Sequence, residues 1–104
     1  MRITYPTAIV LAALDNGYRH GFEIIGVTGL RAGTVYPILR RLEAESLARS
    51  SWEQVARARA EGRPPRRNYR LTAAGCAMVR DALERYPGVA YQFAAGAEPG
   101  AAHA

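Results

Sequence analysis

The chain has 104 residues, 49% of them apolar, with a formal net charge of +5 and a pI near 10.0. That length fits one compact domain, and the apolar content excludes a chain disordered throughout. All 14 basic residues are arginine; the planar guanidinium suits phosphate and guanine, so the excess points to a nucleic-acid partner.

Taken in chain order, the first helix is predicted to start at Pro6-Thr7, with Thr7 as its cap, and to stop at Asn16-Gly17. Ile9, Val10, Leu11, Ala13 and Leu14 make it apolar nearly all round, so it is expected to be buried or to pack on a partner subunit. Tyr18 to Gly21 reads as a turn. Phe22, Ile24, Ile25 and Val27 then form a second helix of about two turns, cut off by Gly26 and Gly29.

The third helix runs from about Ala32 to Ser46. At 100° per residue, Val35, Ile38, Leu39 and Leu42 share one side. Gly33, Tyr36, Pro37, Arg40 and Ala44 share the other, with Arg41 at its edge, one turn before Glu45. Small residues on that face permit close approach, and Tyr36 and the arginines reach out from it. Pro37 removes a backbone donor early in the helix, and Gly33 relieves the crowding its ring would cause.

Leu47 to Val55 is predicted to be a strand with Ala48, Ser50 and Trp52 turned inward. Arg67 to Leu71 is its partner, with Tyr69 and Leu71 inward. The connection, Ala56 to Arg66, carries Arg57, Arg59, Arg63 and Arg66 and is stiffened by Pro64-Pro65. Thr72 caps a fourth helix, Ala73 to Tyr86, ended by Pro87-Gly88, on which Cys76, Val79, Leu83 and Tyr86 form a stripe. Residues 1–88 are thus one domain, mainly α with a small β-hairpin. Residues 89–104, rich in Ala and Gly, are read as a flexible tail. A helix followed by a basic hairpin is the outline of a winged helix-turn-helix, which sets the helix in a DNA groove and the hairpin against the backbone.

Other chemistry finds little support in these residues. There is no Ser/His/Asp set, no phosphate-cradling glycine loop and no ligand cluster, so neither an enzyme nor a cofactor is expected. His20 and Glu23, three apart, lack further ligands for a metal and read as a helix-start feature. Cys76, the single cysteine, excludes an intramolecular disulfide, fits a reducing cytoplasm and reads as a small core residue, with a redox role in a dimer as the alternative. Trp52 reads as core, with a place lining a ligand site near a dimer cleft as the alternative. No run approaches the ~20 apolar residues of a membrane span, and the first residues lack a signal-peptide apolar core. A cytoplasmic protein with no membrane partner is therefore expected.

The segments Tyr18-Arg19-His20-Gly21-Phe22-Glu23-Ile24, Gly33 to Glu43 (Gly-Thr-Val-Tyr-Pro-Ile-Leu-Arg-Arg-Leu-Glu) and Gly62 to Gly75, in this order and spacing, resemble the PadR family of bacterial transcriptional regulators. The resemblance covers roughly Thr7 to Leu83. It implies a winged helix-turn-helix repressor that dimerises through C-terminal helical structure and binds a partly palindromic operator on double-stranded DNA. Many such regulators respond to small, often aromatic molecules, so an unidentified effector is implied too. Matched position by position, Thr34, Tyr36, Pro37, Arg40 and Arg41 become the DNA-facing positions of the recognition helix. Gly62, Arg63, Pro64, Arg66 and Arg67 become the wing, with Arg63 and Arg66 the favoured contacts; Tyr18 and His20 fall near the phosphate backbone. Arg31 stands where a serine cap is common and adds a charge near the DNA. The second helix is shorter than the family's, and the C-terminal part is brief, which leaves little room for a large ligand pocket.

A chain this small cannot bury every apolar face itself, so Ile9 and Val10 on the first helix and Met78 and Ala82 on the fourth are expected dimer surfaces. Two alternatives remain. A protein-binding winged helix would want a neutral wing, unlike this one, and a non-specific nucleic-acid binder would need the wing alone.

Overall fold

The computed structural model describes residues 2–93. Its elements are α1 (Tyr5–Asp15), α2 (Gly21–Thr28), α3 (Ala32–Ala44), β1 (Ala48–Trp52), α4 (Val55–Ala60), β2 (Arg67–Leu71) and α5 (Ala73–Arg85). Residues 88–93 add a short helical segment. Mainly helical with one antiparallel hairpin, this is the winged helix-turn-helix order expected from the sequence.

α1 is the axis of the core: every residue from Thr7 to Leu14 is buried. Its cap is Thr4, not Thr7. Thr4 Oγ1 accepts from the Thr7 amide at 3.4 Å, and Thr7 is itself buried. Proline favours the first turn of a helix, and with Pro6 there the helix starts three residues earlier than a cap at Thr7 allows. Val35, Ile38, Leu39 and Leu42 of α3 are all buried, as the 3.6-residue period requires. Val79 and Ala82 of α5 pack into the same cluster.

Three expectations change here. Ile9, Val10 and Ala82 do not form a dimer surface, because the core of one chain already buries them. Only Met78 of that set stays partly exposed. The apolar excess in α1 is absorbed partly by residues 88–93, where Val89 and Phe93 join the core. The tail expected from residue 89 is therefore structured at its start, and residues 94–104, with His103, lie outside the described residues. Cys76 is exposed rather than core: the buried stripe of α5 runs through Gly75, Val79 and Ala82.

Gly75 lies under the root of the hairpin, where a Cβ would collide with the Leu47 carbonyl oxygen. Thr72 caps α5 by accepting from the Gly75 amide at 3.1 Å, and its hydroxyl donates to the Ser46 carbonyl at 2.7 Å. The hairpin pairs Ala48 with Leu71, Ser50 with Tyr69 and Trp52 with Arg67. On the far side of β2, the Tyr69 amide donates to the Arg19 carbonyl at 2.9 Å, tying the sheet to the α1–α2 turn.

Candidate nucleic-acid interface

α2 and α3 form the helix-turn-helix. Gly29 ends α2 with φ of 76°, a left-handed cap that glycine adopts without strain, and Thr28 Oγ1 accepts from the Leu30 amide at 3.1 Å to shape the turn. Glu23 closes the start of α2, its carboxylate accepting from the Arg19 amide at 2.9 Å and from the His20 amide at 3.5 Å. The helices cross closely at Gly21, where a Cβ would collide with the Tyr36 ring. Tyr36 thus packs one side of its ring on α2 and keeps the rest in solvent. Arg40, one turn on, is exposed on the same face.

The connection between β1 and β2 is not the continued strand and loop expected: β1 stops at Trp52, and Val55–Ala60 form α4. Ala and Arg are among the best helix formers, which explains a helical turn in Val-Ala-Arg-Ala-Arg-Ala. Ala58 is its one buried side chain. Glu53 organises the whole segment. Arg63 grips it with two terminal nitrogens at 2.6 and 2.8 Å, and the Arg66 amide donates to it at 3.2 Å. The Arg63 bonds, opposed by burial and aided by that amide, lower the Glu53 pKa to about 2. The same pairing, helped by Glu61, raises that of Arg63. Glu61 also accepts from Arg63 Nε at 3.1 Å, leaving the guanidinium only 19% exposed. Arg63 therefore braces the wing from inside, a role invisible in the sequence because its partner lies ten residues away.

Trp52 corrects another expectation, being 64% exposed. Alternation put it on the right face of β1, with Ala48 and Ser50, but that face leaves the core as the hairpin projects outward. Ala48 is buried, Ser50 half-buried and Trp52 open, with Arg67 stacked 5.2 Å from its ring centroid. Arg67 Nε also donates to Ser50 Oγ at 2.8 Å, and Ser50 Oγ donates to Glu43 of α3 at 2.6 Å.

Between α3 and the hairpin lies an open cleft of about 890 Å³. The helices supply Phe22, Tyr36 and Arg40; the hairpin side supplies Trp52, Arg66 and Arg67. Tyr69 lines it too, its hydroxyl pKa raised by burial. Sequence reasoning found Tyr36, Arg40, Arg66 and Arg67, and it missed Phe22, which is 72% exposed. Its solvent exposure could not be told from helical periodicity in so short a helix. His20 borders the cleft at the start of α2. Arg63 and Pro64 of the wing line it as well, whereas the remaining candidates lie off it. Tyr18 packs against the core, Arg31 is an exposed N-terminal boundary of α3 with no capping bond, and Thr34 and Pro37 are half-buried. Arg41 is exposed in the last turn of α3. Among the described residues no group of three His, Cys, Asp or Glu side chains is placed to hold a metal, and no helix is long and apolar enough to cross a membrane.

Residues 10–81, most of the chain and all of the helix-turn-helix and hairpin, match the model of the transcriptional regulator PadR-like family. The chain belongs to that family. No curated protein matches the sequence. Among solved structures, a PadR family regulator from Clostridium difficile superposes with a TM-score of 0.65 at 23% identity, covering 86% of this chain and 98% of that one. A PadR-like transcription factor from Bacteroides fragilis gives 0.64 at 21% identity over 84% of each chain. BpsR of Bordetella bronchiseptica, whose DNA binding is regulated by 6-hydroxynicotinic acid, gives 0.66 at 21% identity. Coverage there is 86% of this chain but 63% of BpsR, so the PadR-like chain spans under two-thirds of that relative. At these identities the structures speak for the winged-helix fold. Family and fold are those of DNA-binding transcriptional regulators rather than of enzymes.

Proposed function

We propose that this PadR-like chain is a sequence-specific repressor that binds a partly palindromic operator as a homodimer and blocks transcription by occupying it. The observation that carries the reading is the cleft between α3 and the wing, with Tyr36 and Arg40 on one side and Arg66 on the other. An exposed arginine on a helix with small neighbours can enter the major groove and pair with guanine, while a basic hairpin follows the backbone. Tyr36 and Arg40 read bases in this scheme, with Thr34 and Pro37 at the entry of the helix. Arg31, Arg41, Arg66 and His20 meet phosphate, and Tyr18 supports the turn behind them. Arg63, held by Glu53, shapes the wing instead of touching DNA.

One domain offers few contacts, so two copies about one helical turn apart, ~34 Å, are needed to read a palindrome. Tyr5, Met78 and Tyr91 are the apolar side chains left available for pairing at the end of the molecule formed by α1, α5 and residues 88–93. A small-molecule effector belongs to this reading as well, supported by the ligand-regulated DNA binding of BpsR.

Fluorescence anisotropy with the region upstream of the protein's own gene and with a scrambled duplex, at two salt concentrations, tests the reading. The expected result is a preference of about a thousandfold or more with steep salt dependence. Arg40→Ala should cost ~1–3 kcal/mol at one base pair and relax discrimination there. Arg66→Ala should weaken both duplexes alike and flatten the salt slope by about 0.9. Equal binding of the wild type to the upstream and scrambled duplexes, followed by no enriched sequence in selection from random DNA, would defeat it.

A further inference from the structure

We propose that Arg67 is a positioning residue for DNA recognition: through Ser50 and Glu43 it locks the wing to α3, so that hairpin and helix meet DNA at one fixed spacing. The inference rests on the DNA-binding reading above and assigns to Arg67 a task different from phosphate contact.

Its guanidinium is already engaged from three directions. Nε donates to Ser50 Oγ at 2.8 Å, a terminal nitrogen stands 3.6 Å from Glu43 Oε2, and the group lies over the Trp52 ring. The chemistry fixes the order of the chain. Arginine only donates and a carboxylate only accepts, so the single Ser50 proton must go to Glu43, which it reaches at 2.6 Å. Three elements meet in this chain: Arg67 on β2, Ser50 and Trp52 on β1, and Glu43 on α3. Glu43 follows Arg40 by three residues and lines the same cleft, so a displacement of the wing is felt on the flank of α3 that carries Arg40.

The location matters more than the strength. Half-exposed ion pairs such as Arg67–Glu43 contribute little stability each. At Ala48 and Leu71 the hairpin is seated on the core, but beyond Ser50 it projects without apolar support, and there the Glu43–Ser50–Arg67–Trp52 chain takes over. Arg66 next to it lines the same cleft with no side-chain ion pair among the described residues, which marks the division between a contact and a strut.

The test compares Arg67→Ala, Glu43→Ala, the double variant and Glu43→Gln on operator and scrambled duplexes across salt. Removing the Glu43 carboxylate takes negative charge away from a basic face, so simple electrostatics predicts equal or tighter binding. A strut predicts the reverse: Glu43→Ala and Arg67→Ala each lower the operator preference about tenfold, in the range for coupling between touching residues. The double variant is then no worse than either, the salt slope stays, and Glu43→Gln, which still accepts from Ser50, recovers most of the preference. Trp52, the single tryptophan, gives a second readout without DNA. Its emission anisotropy should fall in Glu43→Ala, with circular dichroism confirming that the variant is folded. Additive losses, or an Arg67→Ala loss equal on both duplexes with a flatter slope and a silent Glu43→Ala, would overturn the proposal. If the wild type discriminated neither between these duplexes nor in selection from random DNA, the DNA reading would fail by itself. Unchanged Trp52 anisotropy in Glu43→Ala would overturn the strut separately.

Discussion

The helical core and the wing are held together by different physics. In the core, Leu11, Leu39 and Leu42 are fully buried among apolar neighbours from α1, α3 and α5. In the wing between the strands, Ala58 is the one buried side chain, and the segment is held by Glu53, Arg63 and the Arg66 amide. Apolar burial is non-directional and carries no group to titrate; a charge-assisted clamp is directional and depends on protonation. The α3 helix is thus firmly seated, whereas the wing can loosen without unfolding the rest.

The largest test of that contrast is Leu39→Ala. It should cost ~2–5 kcal/mol of global stability through lost burial and the cavity left behind, read as a lower denaturant midpoint. Helix and Trp52 signals should shift together, since the wing has no seat without the core. Gly75→Ala probes the junction of the two regions. Its Cβ would meet the Leu47 backbone oxygen, which cannot swing aside as a side chain can, so a loss of ~1–3 kcal/mol is expected in thermal unfolding. A silent Gly75→Ala would mean that the hairpin root is more yielding than its packing suggests.

The smallest effect is the most selective. The folded pKa of Glu53 is about 2, below its ordinary 4.5, so its clamp contributes fully above pH 4.5 and is lost as pH falls through that interval. Trp52 fluorescence should report this loosening in acid while far-UV circular dichroism holds its core value. In Glu53→Gln the wing-specific acid transition should be absent. If Trp52 and the helices titrated together in the wild type, core and wing would be one cooperative unit after all.

What could be read from the sequence follows the same boundary. The buried stripe of α3 was legible because Val35, Ile38, Leu39 and Leu42 obey one period against one partner surface. Tyr36 and Arg40 were legible as its complement. The wing was harder, because its order depends on Glu53 meeting Arg63 across ten residues, and no local pattern announces such a pair. Trp52 was misplaced for a related reason: alternation says which face a residue occupies, not where that face leaves the core. The apolar residues of α1 were read as buried or packed on a partner, and periodicity could not choose between the two because it does not show that α5, Val89 and Phe93 join the same core. Repressor action and operator were inferred from family resemblance, and the dimer from that resemblance together with apolar faces that a small chain was not expected to bury.

The bond from the Tyr69 amide to the Arg19 carbonyl has a further consequence. A two-stranded ribbon has two bare edges, and a bare edge invites pairing with another chain. Here a single peptide from the α1–α2 turn occupies the rim of β2 in mid-strand, interrupting the run of free donors a stacking neighbour would need. The same peptide closes a ring through the chain: α2 and α3 leave from Arg19 and return at Ala48, so the helix-turn-helix is an excursion clasped at both ends by one small sheet.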